Sequence, residues 1–106
     1  MTGPRPTEEL ARSDFEGRTG EIFRVRPAGA GTGEVDLVLV EVHLGEQGPT
    51  EWFSLLFRGP FDRVFPHDTH TLTHPELGSH ALFLGPVHTG KNDAVYYQLI
   101  FSRLKG

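Results

Sequence analysis

From Gly17 onward, apolar and polar residues alternate with a period of two, the signature of strands with one face buried. Phe23 and Val25 alternate with Arg24 and Arg26 until Pro27 ends the run. Val35 to Leu44 predicts a second strand with a change of phase. Val35, Leu37 and Leu39 start on one face, and Val40, Val42 and Leu44 finish on the other. That change predicts either a β-bulge or a central strand covered on both sides. Trp52 to Phe57, Thr69 to His74, His80 to Val87 and Ala94 to Phe101 complete a set of six short strands. Turn-rich stretches separate them: Gly29 to Gly33, Gly45 to Pro49, Gly59-Pro60, Pro75 to Gly78 and Thr89 to Asp93. Residues 61–68 form a loop whose Phe61, Val64, Phe65 and Pro66 are apolar enough to fold back over a barrel end.

Ahead of the strands, Thr7 to Phe15 is the one stretch that reads as a helix. Thr7 caps it, Glu8 and Glu9 stand in its first turn, and Leu10 and Phe15 anchor it. Residues 1–7 are proline-rich and read as a disordered lead-in. The expected organisation is therefore that lead-in followed by one all-β domain over residues 8–106. It is a small antiparallel barrel or sandwich of about six strands with a short N-terminal helix. No strand–helix–strand unit of Rossmann type fits the pattern.

Composition narrows the function classes. The chain has 106 residues and a net charge of −4, with ten basic residues scattered along it. A nucleic-acid partner needs a positive stripe against its phosphates, so none is expected. There is no cysteine, which excludes disulfides, thiolate metal sites and thiol nucleophiles. Apolar runs stop at four residues, as in Leu37 to Val40, far short of a membrane span. No membrane partner is expected. The expected location is the cytoplasm, or an assembly exported without a cleavable signal peptide.

The six histidines are the first candidates for chemistry. His67-Asp68-Thr69-His70 followed by His74 carries metal-ligating side chains. Along a strand, however, His70 and His74 stand about 13 Å apart at roughly 3.3 Å per residue. Only His67 with His70 can meet one ion across the loop, which makes that pair the metal alternative. Ser54 and Ser79 lack the glycine-flanked elbow of a nucleophilic serine. Glu41, Glu51 and Asp62 supply carboxylates but no pattern beyond solvated strand and loop faces. Gly29 to Gly33 lacks the Lys-Ser/Thr of a phosphate loop and precedes a strand, so it reads as a hairpin turn.

Trp52 and Tyr96 are out of phase with Phe53 and Tyr97 and therefore point away from the core. An outward Trp and Tyr can form a sugar-stacking or protein-contact patch. Leu56 and Ile100 share that side, which leaves open that the second face is covered as well.

A longer motif then stands out. Trp52-Phe-Ser-Leu-Leu-Phe-Arg-Gly-Pro60 is followed by Pro66, Leu72, His74-Pro75, Leu77-Gly78, Leu82-Phe-Leu84 and Pro86-Val87. With Phe15, Gly20 to Phe23 and Tyr97 to Phe101, it resembles an uncharacterised bacterial family known as a domain of unknown function. The resemblance spans roughly residues 8–102. The family implies no activity, but it implies a context beside phage-tail-collar-like proteins and hence an accessory, assembly or binding role. His67, Asp68 and His70 stand where that family usually has Gln, Gly and Tyr, so these histidines are not a family device. Within the shared residues, Gly59 is expected to take an unusual backbone angle. His74, held extended by Pro75, is expected to hydrogen-bond the turn that ends at Gly78.

The expectation is a non-enzymatic binding module of a phage-tail-like system, needing no cofactor. Its partner is another protein, in the tail-collar-like class, contacted through Trp52, Arg58, Tyr96, Phe61 and Phe65. The alternative is a barrel that binds a small molecule, a carbohydrate or a metal, the last through His67 and His70. Either form is a monomer or a homodimer.

Overall fold

A computed structural model describes residues 13–28, 33–47 and 50–104. Six strands close into one antiparallel barrel: β1 (Ile22–Arg26), β2 (Val35–Gln47), β3 (Thr50–Gly59), β4 (Asp68–His74), β5 (Gly78–Val87) and β6 (Val95–Leu104). Their order around the barrel is β1-β2-β3-β6-β5-β4, with β4 pairing back onto β1. Strands β4, β5 and β6 follow one another antiparallel, and the long 60–67 connection carries the chain from β3, which pairs with β6, across to β4. This is a Greek-key arrangement.

Alternation decides which side chains fill the barrel. Phe23, Val25, Val35, Leu37, Leu39, Leu55, Phe57, Leu84, Tyr97 and Leu99 are fully buried. Each such large apolar side chain contributes about 1.5–3 kcal/mol relative to exposure. The lumen is thus packed with side chains. The phase change in β2 is a bulge, because the β2–β3 register slips between Leu39 and Glu41. Val40 is the extra residue. Beyond it Val42 packs against the core, while Glu41 and His43 face out. The bulge therefore lets Val42 face inward with Val35, Leu37 and Leu39, and the covered-on-both-sides reading falls.

One barrel end is closed by the short helix α1 (Ser13–Glu16). Phe15 lies within 6.1 Å of the Phe23, Phe53 and Phe101 rings, centroid to centroid. The rest of the helix expected from Thr7, its Leu10 anchor and the lead-in lie outside the described residues. At the other end the 60–67 connection folds back, as its apolar content predicts. Phe65 stacks on Tyr97, centroids 4.3 Å apart and planes 10° apart.

Gly59 departs from expectation, since its backbone angle is ordinary. It is glycine for space: a Cβ there would stand 2.5 Å from Leu37 Cδ2. Gly78 does take a positive φ, 83°, in the turn that joins β4 to β5.

Candidate functional site

The antiparallel register fixes which residues share the outer face. On β3, Trp52, Ser54, Leu56 and Arg58 stand opposite Ser102, Ile100, Gln98 and Tyr96 of β6. Arg58 and Tyr96 are thus direct cross-strand neighbours. Trp52 shares their face six residues along β3, about 20 Å from Arg58 at roughly 3.3 Å per residue. Leu56, Gln98 and Ile100 lie between, so the site is a strip and not a compact patch. The half-buried Trp52 indole lies across Gly45, its partner on β2, and fills the space where a Cβ would sit.

Two of the expected contact residues are not available on this surface. Phe65 is 1% exposed and belongs to the core. Its ring is taken up by the loop's own fold back over the barrel end, where it stacks on Tyr97 and so is not free for a partner. Tyr96 points away from the lumen as expected but is only 4% exposed. The β5–β6 loop covers it: its hydroxyl donates to Asp93 Oδ1 at 3.0 Å, and Lys91 Nζ stands 5.5 Å from its ring. That burial, helped by the Asp93 carboxylate, pushes the phenol above its ordinary range. Arg58 and Phe61 are exposed, Phe61 at 63%.

Two residues extend the strip beyond the expected set. Phe83 on β5 and Ile100 on β6 are 63% and 61% exposed. They are the next residues after Leu84 and Leu99, the last pair of the β5–β6 ladder. The signal for both was in the alternation, since Phe83 stands between the buried Leu82 and Leu84, and Ile100 between the buried Leu99 and the half-buried Phe101. Ile100 also answers part of the question of a covered second face: its side chain is in the open, while Ser54 opposite it and Tyr96 further along are buried.

His67, His70 and His74 serve the barrel. His70 is 1% exposed. Its Nδ1 accepts the Ala28 N–H at 2.8 Å, so its proton is on Nε2, which donates to the Pro66 carbonyl at 2.8 Å. His67 lies across Gly85 and donates from Nε2 to the Pro86 carbonyl at 2.8 Å. Both ring nitrogens of His70 are committed to main-chain groups, so this pair offers an ion no second ligand. Among the described residues no group of three His, Asp or Glu converges on a metal position.

His74, as expected, binds its turn: Nδ1 accepts the Glu76 N–H at 3.1 Å. Its Nε2 then donates to Glu21 Oε1 at 2.7 Å. Arg18 reaches Glu76 at 2.8 Å and Glu21 at 3.5 Å. The His74 hydrogen bond first, and then the Arg18 charge, hold the Glu21 carboxyl below its usual range. The Glu76 hydrogen bond is the main cause that raises Arg18.

Inside the barrel, the Tyr97 hydroxyl is buried with no hydrogen-bond partner among the described residues. Burial pushes it above its ordinary range, and the Phe65 main chain, outside hydrogen-bond geometry, opposes that shift. Ser54 stands opposite His43 in the β2–β3 register, and His43 Nε2 lies 3.2 Å from Glu41 Oε2, but no hydrogen bond joins Ser54 to His43 among the described contacts. Ser79 Oγ meets Thr73 Oγ1 across the β4–β5 pair at 2.9 Å.

A protein-family model described as "Domain of unknown function (DUF6916)" matches residues 10–101. No curated protein and no solved structure matches the chain.

Proposed function

The chain belongs to the DUF6916 family, whose description assigns no activity, and from its geometry we propose that it is a non-enzymatic binding module that docks another protein. The observation that carries the reading is the contrast between lumen and wall. The lumen is filled by side chains such as Phe57, Leu55 and Tyr97, which among the described residues leaves little room for a substrate. The wall bears large apolar side chains in the open. Phe83 and Ile100 are each more than 60% exposed, and Trp52 and Arg58 lie along the same sheet. Exposed apolar groups clustered on one face and edged by polar ones mark contact surfaces. Trp and Arg are the side chains that most often dominate such contacts.

The partner is a tail-collar-like protein of a phage-tail-like assembly, the context that the sequence motif implies. Co-expression with a tail-collar-like protein encoded beside this chain tests the reading. The two should co-purify, and Ile100→Glu and Trp52→Ala should each weaken the complex roughly tenfold or more. A complex untouched by both substitutions, or no complex at all, would remove the β3–β6 face from consideration.

A further inference from the structure

We propose that the outer edge of β2, from Val40 to Leu44, pairs antiparallel with the same edge of a second copy of this chain. This inference does not depend on what the β3–β6 face binds.

The main chain supplies the first argument. β1 pairs with β2 from Val35 to Val38, and Gly20 and Glu21 extend the contact to Leu39. There the bulge turns β2 away. From Glu41 to Gln47 its ladder runs, among the described residues, on the β3 side. A strand paired on one side presents N–H and C=O groups to a further strand.

The side chains name the occupant. Proteins commonly defend such an edge with proline, with lysine or with a bulge. Here the bulge lies at Val40, at the start of the segment, and Val40-Glu-Val-His-Leu44 carries no proline and no lysine beyond it. Glu41 and His43 are both exposed on the outer face, and His43 Nε2 lies 3.2 Å from Glu41 Oε2. One acid and one imidazole two residues apart are self-complementary about the residue between them. With a two-fold axis at Val42, Glu41 stands opposite the partner's His43, and His43 opposite the partner's Glu41. Side chains directly opposite one another across an antiparallel pair are about 4.5–5.5 Å apart at Cβ, close enough to hydrogen-bond. Val42 faces the core side in each copy and continues the apolar inner surface across the junction. The ladder ends before Leu39, whose main-chain groups already bond Gly20 and Glu21. Such a short isologous contact makes a weak, concentration-dependent dimer.

Analytical ultracentrifugation of the full chain, diluted from about 1 mM, reads this directly. Dimer is expected at the high end and monomer on dilution. Glu41→His alone and His43→Glu alone set like groups opposite each other, and each should weaken association roughly tenfold. The double exchange Glu41→His with His43→Glu restores the complementary pairs and should return association to within about twofold of the parent. A monomer at every concentration overturns the proposal, and so does a dimer that the single exchanges leave intact. A double exchange as weak as the singles combined overturns it too. Hydrogen exchange on the dilute monomer gives a further check. Slow exchange at both faces of Glu41–Leu44 there would mean that the chain covers its own edge, which also overturns it.

Discussion

The two ends of the barrel are closed by different chemistry, although one strand serves both. β4 carries His70 at one end and His74 at the other, both pointing inward. At the His70 end the closure is main chain and aromatic. The imidazole ties Ala28 to Pro66, and the Phe65 ring lies edge-on to it, centroids 4.6 Å apart, and flat on Tyr97. At the His74 end the closure is ionic at its rim and aromatic beneath. Phe15 fills the mouth, and Arg18, Glu21, His74 and Glu76 link α1 and β1 to the β4–β5 turn. The comparison teaches that a histidine can pin two loops without charge, whereas a rim of ion pairs works only while its carboxylates are ionised.

Substitution should separate the two ends. The largest effect is expected from the aromatic plugs. Phe65→Ala and Phe15→Ala each remove a side chain that is 1% exposed and should cost about 3–5 kcal/mol in urea unfolding. If one of them costs under about 1 kcal/mol, that end is not part of the cooperative unit.

Next comes His70→Ala, which strands the Ala28 N–H and the Pro66 carbonyl at the buried end. A loss of about 1–3 kcal/mol for each stranded group is expected. His74→Ala should cost less, because its Glu21 partner is 41% exposed and rehydrates. Equal costs in thermal unfolding would erase the distinction between the ends.

The smallest effect is the acid response of Glu21. Its folded pKa lies below the ordinary carboxylate value. Its contribution is therefore present above the ordinary carboxylate range and is lost as pH falls through the folded value. Urea midpoints of the parent and of Glu21→Gln should differ at pH 7 and converge in acid, once the pH has fallen below the range in which the folded Glu21 carboxyl titrates. A gap that persists in acid would mean that the Glu21 carboxylate is not what holds the rim.

Much of the fold was legible in the sequence because its core is written in period two. Val95, Tyr97, Leu99 and Phe101 all face inward as the alternation predicts. The bulge at Val40 was visible as a phase change, although alternation did not distinguish it from a doubly covered strand. What closes each end was less legible. Phe65 and Phe61 lie four residues apart in one loop, yet one is core and the other 63% exposed. Only the position of Tyr97 in space separates them. The site was legible in part: Trp52 and Arg58 follow from phase, and so do Phe83 and Ile100 once the opposite faces are read as uncovered. The cover over Tyr96 was not, because it comes from the Asp93 loop and not from the strand pattern. The histidines had the look of ligands in one dimension, and their main-chain partners appear only when the loops are in place.

The account rests on a barrel whose interior is filled and whose binding surface is the wall. Native mass spectrometry of the purified full chain, with zinc added and then chelated, tests this most directly. The account predicts the mass of the bare chain or its dimer under both conditions, since the described lumen is packed with side chains and both His70 nitrogens are taken. A stoichiometric small-molecule or zinc adduct that disappears on His67→Ala or His70→Ala would contradict it and make the barrel a ligand-binding protein first.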